Sequence, residues 1–355
     1  MARALELARR GLYTTDPNPR VGCVVVRDGQ VVGEGWHERA GGPHAEVRAL
    51  EAAGEGARGA DVYVTLEPCN HHGRTPPCSE ALVRAGVGRV VAACADPNPL
   101  GGDGGRAHLE AAGIPVEMGV LAREAEALNP GFFARLRRGR PWLRLKLAAS
   151  LDGRTAMASG ESQWITGPAA REDVQRWRAR SSAVMTGAGT VLADDPRLTA
   201  RLEGLTRQPL RVVIDGHLSV PETARLFESE APLLVITASE DAGAAERLRA
   251  RGAEVLCLPA GGGGVDLEAA LQHLAQREVN EVLVEAGATL AGSLLDAGLV
   301  DELIFYYAPC LLGHQARPMF HLPALARLED RVALEVDEVR AVGGDWRVRA
   351  RPAGG

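Results

Sequence analysis

Short apolar strands alternate with helical segments along this sequence, and the alternation occurs twice. It extends from about residue 21 to residue 118, and it begins again at about residue 143. Strands that alternate with helices form sheets covered by helices, so the pattern predicts two α/β domains. A length of 355 residues agrees with two domains.

The first half opens with an amphipathic helix and a β-hairpin. Asp28-Gly29 supplies the positive φ angles that a tight hairpin turn needs. The predicted strands are 21–26, 31–36, 62–66, 89–94 and 115–118, and the predicted helices are 1–10, 44–57, 78–85 and 106–112.

The second half repeats this organisation after a basic segment at residues 132–141. Because Gly and Pro end that segment, it predicts the boundary between domains 1–142 and 143–355. The predicted strands are 143–150, 183–187, 211–215, 233–237, 254–258, 281–287 and 302–309, with helices at 168–180, 242–251, 266–277 and 288–297 and a final hairpin turned at 343–345.

The composition and the apolar pattern argue against two classes of protein, those that bind nucleic acids and those that span membranes. The chain has 46 acidic and 40 basic residues, a net charge of -6 and only 4% aromatic residues, which disfavours a nucleic-acid-binding surface. No run of about 18 apolar residues predicts a membrane span, and the amino terminus does not resemble a secretory signal. We therefore expect a cytoplasmic protein and leave homo-oligomerisation open.

In a reducing compartment, the six cysteines are expected to be metal ligands, nucleophiles or core residues rather than disulfides. Those without partners at ligand spacing are predicted to be core residues: Cys23, Cys94, Cys257 and Cys310.

One His and two Cys residues in the first half form a metal-ligand pattern. His44 starts a predicted helix, Cys69 follows a predicted strand, and Cys78 starts the next helix. Since structural zinc sites fill all four positions with protein ligands, these three ligands predict one catalytic Zn²⁺ with a position open for water. The positive end of the helix dipole favours the thiolate of Cys78.

Glu46 lies two residues after His44 and is predicted to carry protons rather than to bind the metal. Zinc lowers the pKa of a bound water to about 7, and Glu46 would pass that proton to a leaving amine. Zinc nucleobase deaminases use the same H-x-E and P-C pattern. Eight residues separate Cys69 from Cys78 here, instead of the two in that pattern.

Longer motifs surround these residues and continue into the second half. They are TDPNPRVG at 15–22, GPHAE at 42–46, PCNHHGRTPPC at 68–78, KLAASLDGRT at 146–155, GESQWIT at 160–166 and DDPRLT at 194–199. Together they resemble the bifunctional riboflavin-biosynthesis deaminase/reductase family over essentially the whole chain. The interval between the two cysteines also fits this family.

The resemblance implies a cytidine-deaminase-like α/β/α sandwich followed by a dihydrofolate-reductase-like α/β domain. It also implies two successive reactions on a small phosphoribosylaminopyrimidine. Zinc-dependent deamination of the 2,5-diamino-6-(5-phosphoribosylamino)pyrimidin-4(3H)-one would give the corresponding uracil. NADPH would then reduce the ribose to an open ribityl chain.

The resemblance also assigns ligand contacts. The deaminase substrate contacts are Asn18, His71 and Arg74, the last at a position where the family often has Lys. The NADPH contacts are Ala148, Trp164, Thr190, Asp194, Glu285 and Gly287. The reductase substrate contacts are Ser162, Arg178, Leu198 and Arg201, whose two arginines suit a phosphate. Lys146 is a further candidate near this substrate.

Two glycine-containing turns between a strand and a helix, at 187–190 and 287–292, are candidate phosphate sites. Each alone also fits a purely structural role. No G-x-G-x-x-G motif follows a strand, so an ordinary Rossmann site is not predicted.

Two other hypotheses explain part of the sequence. A nucleic-acid base deaminase with an appended binding module accounts for the zinc pattern, but not for the acidic balance or the second-half motifs. A structural zinc protein whose second domain binds a nucleotide leaves Glu46 and the missing fourth ligand unexplained.

Overall fold

The structure is a computed structural model that describes residues 1–71, 76–99, 104–261 and 264–353. Its internal contacts divide the chain into two compact units, Met1–Gly139 and Arg140–Gly355. The division predicted from the sequence lies between residues 142 and 143. Within the described ranges, no helix has both the length and the hydropathy needed to cross a membrane.

The first unit contains a sheet with helices on both faces. Its helices are α1 (Ala2–Arg9), α2 (Ala45–Ala53), α3 (Cys78–Ala85), α4 (Gly104–Ala111), α5 (Ala122–Leu128) and α6 (Pro130–Arg138). Its strands are β1 (Gly22–Arg27), β2 (Gln30–Trp36), β3 (Asp61–Val64), β4 (Arg89–Ala92) and β5 (Val116–Met118). They form a five-stranded sheet in the order β2-β1-β3-β4-β5. Strands β3, β4 and β5 are parallel, and β1 is antiparallel to both of its neighbours.

Alternate residues of β1 belong to different cores. Val24 packs with Ala4 and Leu7 of α1, whereas Cys23 and Val25 belong to the larger core of the first unit. Because successive strand residues point to opposite faces of a sheet, both faces are covered. The α/β/α arrangement expected from the family resemblance is therefore confirmed.

Glycines let α2 approach the β1–β2 hairpin closely. A Cβ atom at Gly33 would lie 2.2 Å from the carbonyl oxygen of Ala49, and one at Gly35 would lie 2.4 Å from that of Ala45. Larger residues at either position would push α2 away from the sheet. Since α2 begins directly after His44, these two glycines also fix the position of a predicted metal ligand.

The second unit is built on a larger sheet. Its strands are β6 (Trp142–Ser150), β7 (Arg154–Ala156), β8 (Ala183–Gly187), β9 (Leu210–Ile214), β10 (Leu233–Thr237), β11 (Glu254–Cys257), β12 (Ala260–Gly261), β13 (Gly264–Val265), β14 (Glu281–Glu285), β15 (Glu302–Ala308), β16 (Arg317–Pro318), β17 (Leu334–Val342) and β18 (Asp345–Pro352). Its helices are α7 (Pro168–Arg180), α8 (Ala188–Asp194), α9 (Ala242–Ala250), α10 (Leu267–Gln276) and α11 (Ala288–Asp296).

Nine of these strands form one sheet in the order β11-β10-β9-β8-β14-β6-β15-β18-β17. The strands from β11 to β15 in this order are parallel, and β18 and β17 complete the sheet in antiparallel fashion. The central strands are buried and rich in Val, Leu and Ile, as expected for parallel strands covered on both faces.

The structure differs from the sequence prediction at a few places. Helix α6 occupies much of the segment at residues 132–141 and places Phe132 and Phe133 in the core of the first unit. Cys23 and Cys94 are buried as predicted, but the prediction is wrong for Cys257, which is exposed, and for Cys310, which is only partly buried. Cys257 ends β11, which pairs only with β10 among the residues that the structure describes.

Candidate active sites

The three predicted metal ligands meet at one point of the first unit. His44 is the residue before α2, Cys78 is the first residue of α3, and Cys69 lies on the segment that follows β3. The Nδ1 atom of His44 lies 3.3 Å from Sγ of Cys78 and 3.5 Å from Sγ of Cys69. In the part of the chain that the structure describes, they form the one group of three His, Cys, Asp or Glu donors suited to a shared metal ion.

The geometry and the protonation of this cluster fit zinc. Zinc bonds of about 2.0–2.1 Å to nitrogen and 2.3 Å to sulfur, at tetrahedral angles, separate the two atoms by about 3.5 Å. Hydrogen bonds from Cys78 and His44 lower the pKa of Cys69, whereas the hydrogen bond with Cys69 and burial raise the pKa of Cys78. Cys69 therefore favours the thiolate that zinc requires, and metal binding would displace the proton that Cys78 holds. The cluster thus supplies three ligands and leaves a fourth tetrahedral position for water.

Glu46 lies beside the cluster in the first turn of α2 and is only 4% exposed. Burial raises the pKa of Glu46 to about 7. The side chain of Cys78 lies close enough to the Glu46 carboxyl group to oppose part of this rise in pKa. A carboxyl group with a pKa near neutrality can both accept and donate a proton at neutral pH.

Asn18 is held in this site by His37, a residue that the sequence analysis missed. Nδ1 of His37 lies 3.1 Å from the carbonyl oxygen of Pro43, which can only accept, so Nδ1 carries the proton. Nε2 is then free to accept from the side-chain amide of Asn18, 3.0 Å away. Burial lowers the pKa of His37, so the neutral form is favoured. The ring of His37 also meets that of His44 edge to face, with centroids 5.3 Å apart.

His71 lies two residues after Cys69 and presents a buried hydrogen-bonding atom. Its Nδ1 atom is buried and has no hydrogen-bond partner among the described residues. Leaving such an atom unpaired costs about 1–3 kcal/mol, so a ligand atom would stabilise it. The third predicted substrate contact, Arg74, lies outside the described residues.

A large groove in the second unit brings the other predicted site residues together. Its volume is about 1950 Å³, and it lies across the carboxyl ends of β6, β8, β9 and β14, where open α/β sheets bind their ligands. All the residues predicted to contact NADPH or the reductase substrate line it, namely Ala148, Ser162, Trp164, Arg178, Thr190, Asp194, Leu198, Arg201, Glu285 and Gly287.

Glu285 is the centre of a buried charge cluster in this groove. Its carboxylate accepts hydrogen bonds of 2.5 and 3.0 Å from Arg178 and lies 3.7 Å from Nζ of Lys146. Burial alone would raise the pKa of Glu285, but the positive charges of Arg178 and Lys146 outweigh it and lower the pKa to about 2. Burial in turn lowers the pKa of Lys146.

The phosphate-binding turn predicted at residues 287–292 is the start of α11, with Gly287 as its N-cap. Thr190, in the neighbouring helix α8, accepts a hydrogen bond from the backbone N–H of Gly287 at 3.2 Å. The N–H groups of the first turn of α11 lack partners within the helix, so this end can bind an anion.

Two arginines of the groove were missed by the sequence analysis. The guanidinium of Arg171 lies 4.6 Å from the ring of Trp164, whose side chain is 69% exposed. Arg317, on the short strand β16, is close enough to influence Asp194 electrostatically. In the sequence, Trp164 followed seven residues later by Arg171 is a weak signal for Arg171. No local pattern predicts Arg317 as a groove residue.

Comparisons with known families agree with this division of sites. The cytidine and deoxycytidylate deaminase zinc-binding region matches residues 1–94, and the RibD C-terminal domain matches residues 141–348. The first match contains the predicted metal ligands, and the second contains the groove residues. The chain therefore joins a zinc-dependent deaminase domain to an NADPH-dependent reductase domain.

Known proteins are similar to the chain over almost its whole length. The riboflavin biosynthesis protein RibD of Escherichia coli K12 is 52% identical over 357 residues, which cover 97% of this chain and 96% of that protein. The structure of Acinetobacter baumannii RibD is 48% identical with a TM-score of 0.92, covering 99% of this chain and 97% of that one.

A Thermotoga maritima structure is described as a diaminohydroxyphosphoribosylaminopyrimidine deaminase/5-amino-6-(5-phosphoribosylamino)uracil reductase. It is 37% identical with a TM-score of 0.89 and covers 99% of this chain and 97% of that one. These matches extend across both units, and the predicted two-domain α/β fold class is confirmed. The chain belongs to the RibD family of bifunctional riboflavin-biosynthesis enzymes, which act as a deaminase and then as a reductase.

Proposed function

We propose that residues 1–142 deaminate 2,5-diamino-6-(5-phosphoribosylamino)pyrimidin-4(3H)-one to 5-amino-6-(5-phosphoribosylamino)uracil. Residues 143–355 then reduce the ribose of this product to the ribitylamino chain with NADPH. The name of the Thermotoga maritima relative supports this choice of substrate. The separate sets of site residues in the two units support two successive reactions rather than one.

In the deamination, His44, Cys69 and Cys78 would hold zinc, which supplies a Lewis acid that activates water for attack on the ring carbon. Glu46 accepts a proton from the water and donates it to the leaving amino nitrogen. The C–O bond forms first by addition to the ring carbon, and the C–N bond to the protonated amino group then breaks, so that ammonia leaves. The pKa of about 7 at Glu46 suits both proton transfers.

Three residues are assigned to binding the pyrimidine substrate. Asn18 is oriented by His37, so its amide presents a fixed set of hydrogen-bonding atoms to the ring. His71 offers its Nδ1 atom, which has no hydrogen-bond partner among the described residues. Arg74 supplies a positive charge, which suits the phosphate or a ring oxygen of the substrate.

In the reduction, NADPH supplies the hydride when it is bound in the groove. We place its diphosphate at the amino terminus of α11, where Gly287 and Thr190 meet. Ala148, Trp164, Asp194 and Glu285 line the adjoining part of the groove and are assigned to the rest of the dinucleotide. A well-oriented nicotinamide is the main requirement for hydride transfer.

The reductase substrate is assigned to the side of the groove that carries Ser162, Arg178, Leu198 and Arg201. Arg178 already pairs with Glu285, so it serves mainly to orient that carboxylate. Arg201 has no carboxylate at ion-pair distance among the described residues and is the stronger candidate for the phosphate. Lys146 lies between these groups, close to Glu285.

We further propose a small-molecule substrate, a homo-oligomer and a cytoplasmic location. The net charge of -6 supports a small-molecule substrate without nucleic acid. Strand β17 exposes Val336 and Val339, and in the described ranges it pairs only with β18, which supports a homo-oligomer formed along its outer edge. The need for reduced thiols at Cys69 and Cys78 supports the cytoplasm.

The observation that carries the proposal is the buried Glu46 beside a three-ligand metal cluster. Replacing Glu46→Gln keeps the size of the side chain but removes proton transfer. We expect this variant to keep its zinc and to release ammonia about 10²- to 10⁴-fold more slowly. Glu51→Gln, an exposed position on the same helix, is the matched control and should behave like the parent protein. Ammonia release at the parental rate by Glu46→Gln would refute the assignment.

A further inference from the structure

The backbone pairing of strands β8 and β14 ends next to the reductase groove. Their backbone pairing ends at Met185 and Val284. Beyond that point, each strand stays paired with its other neighbour: β14 reaches Glu285 opposite Lys146, and β8 reaches Gly187 opposite Ile214. The ladder between these two strands therefore ends before either strand does.

Two threonine hydroxyls connect the two chain segments beyond the end of this ladder. The hydroxyl of Thr186 donates to the backbone carbonyl oxygen of Glu285 at 2.7 Å, and that of Thr190 accepts from the backbone N–H of Gly287 at 3.2 Å. Both threonines come from the β8–α8 segment. Side-chain hydrogen bonds thus hold the turn at residues 285–287 where the backbone ladder has ended.

The two threonines differ in their surroundings. Thr190 lines the groove and is assigned to NADPH itself, whereas Thr186 is fully buried and does not line the groove. Thr186 can therefore influence the reaction only through the turn that it holds. That turn carries the carboxylate of Glu285, paired with Arg178 and Lys146, and it leads into Gly287 at the start of α11.

We propose that Thr186 is a positioning residue of the reductase: its hydroxyl keeps the turn at 285–287 in the position that binds NADPH. The proposal rests on the placement of NADPH in this groove. A rigid turn lets the N–H groups of α11 meet the diphosphate without first being ordered, which improves affinity. Loss of the hydroxyl therefore acts on cofactor binding before it acts on the hydride step.

The test uses Thr186→Val, which keeps the shape of the side chain and removes the hydroxyl. We expect the KM for NADPH to rise about five- to tenfold, the change that a buried hydrogen bond typically causes, with a smaller change in kcat. Thr186→Ser keeps the hydroxyl and should restore most of the affinity. Ammonia release, measured in the same samples, should stay at the parental rate because the deaminase site lies in the other unit.

Thr237→Val is the matched control. Thr237 is also buried, ends strand β10 of the same sheet, and accepts a hydrogen bond from the backbone N–H of Ser239 at 3.0 Å, but it does not line the groove. A rise in the KM for NADPH that is equal in Thr186→Val and Thr237→Val would show general loosening of the sheet and would overturn the proposal.

Trp164→Ala separates this proposal from the one on which it rests. If NADPH binds in the groove, loss of the exposed Trp164 ring should weaken NADPH binding. Weaker binding by Trp164→Ala together with unchanged binding by Thr186→Val would overturn the role of Thr186 alone. Unchanged binding by both variants would overturn the placement of NADPH and the role of Thr186 together.

Discussion

Arg178 and Arg201 line the same groove, but only one of them is free to take a new anion. Arg178 donates two hydrogen bonds to Glu285 and a third to the carbonyl oxygen of Thr199. The side chain of Arg201 has no such partner among the described residues, and its backbone N–H is held by Gln175. A free guanidinium in a groove to which we assign phosphorylated ligands is a strong candidate for the phosphate.

We therefore predict that Arg201→Ala raises the KM of the reductase for its phosphorylated substrate by about tenfold or more. A hydrogen bond to a charged group typically contributes about 1.5–3 kcal/mol. Arg249→Ala on α9 removes an exposed arginine outside the groove and serves as the control. Steady-state kinetics with saturating NADPH provides the measurement, and a KM equal to that of the control would contradict the phosphate assignment.

Single residues also show the limit of sequence reasoning. The metal ligands His44, Cys69 and Cys78 could be predicted because their residue types and their neighbours form a local pattern. The contact between Asn18 and His37 could not, since a histidine that follows a strand has no pattern of its own. Only the fold shows that β2 delivers His37 to the side of His44.

Among the elements, the central strands of the second sheet contain a buried ion network. Arg144 on β6 is paired with Glu281 on β14 and with Glu302 on β15, and Arg349 on β18 also pairs with Glu302. Burial alone would raise the pKa of Glu302, but the charges of Arg144 and Arg349 outweigh it and lower the pKa to about 2. The network therefore joins four neighbouring strands only while Glu302 is ionised.

This network predicts acid sensitivity of the reductase unit. The pKa of Glu302 is lower in the folded state than its ordinary value of 4.5, so the unfolded chain binds the extra proton first. Its contribution of about 3 kcal/mol to the free energy of unfolding is present above pH 4.5 and is lost as the pH falls towards 2. Urea unfolding followed by circular dichroism between pH 6 and pH 2 measures this dependence.

Glu302→Gln provides the comparison for the acid experiment. It should lower stability at neutral pH, because Arg144 would stay buried with one partner fewer. Between pH 4.5 and pH 2, this variant should take up about one proton fewer on unfolding than the parent protein. Its free energy of unfolding should therefore depend less on pH. An unchanged pH dependence in this variant would contradict the assignment to Glu302.

Element prediction from the sequence succeeded where patterns were long. The hairpin of β1 and β2 has an Asp-Gly turn with positive φ at both residues, and the strands β8 and β10 were predicted with their observed bounds. Elements of a few residues were not predicted, among them α8, β7 and β16. Such pieces have no periodicity of their own and exist because of distant contacts, as in the pairing of β7 with β16.

For the whole molecule, each unit has its own core and its own site. Long motifs made this organisation predictable, because they occur in both halves of the sequence. The charge cluster of Lys146, Arg178 and Glu285 was not predictable as a cluster, since its members come from β6, α7 and β14. Strand order brings these segments together, and local sequence does not encode strand order.

We propose that one chain deaminates its substrate at the metal cluster and then reduces the product in the groove. The most direct measurement incubates the protein with the diaminopyrimidine phosphoriboside and follows ammonia release and NADPH oxidation separately. We predict ammonia release without NADPH, one NADPH oxidised per ammonia when both are supplied, and no oxidation by Cys69→Ser unless the deaminated substrate is provided. NADPH oxidation by Cys69→Ser with the original diamino substrate would show that reduction does not depend on prior deamination at the metal cluster, and would refute this order of reactions.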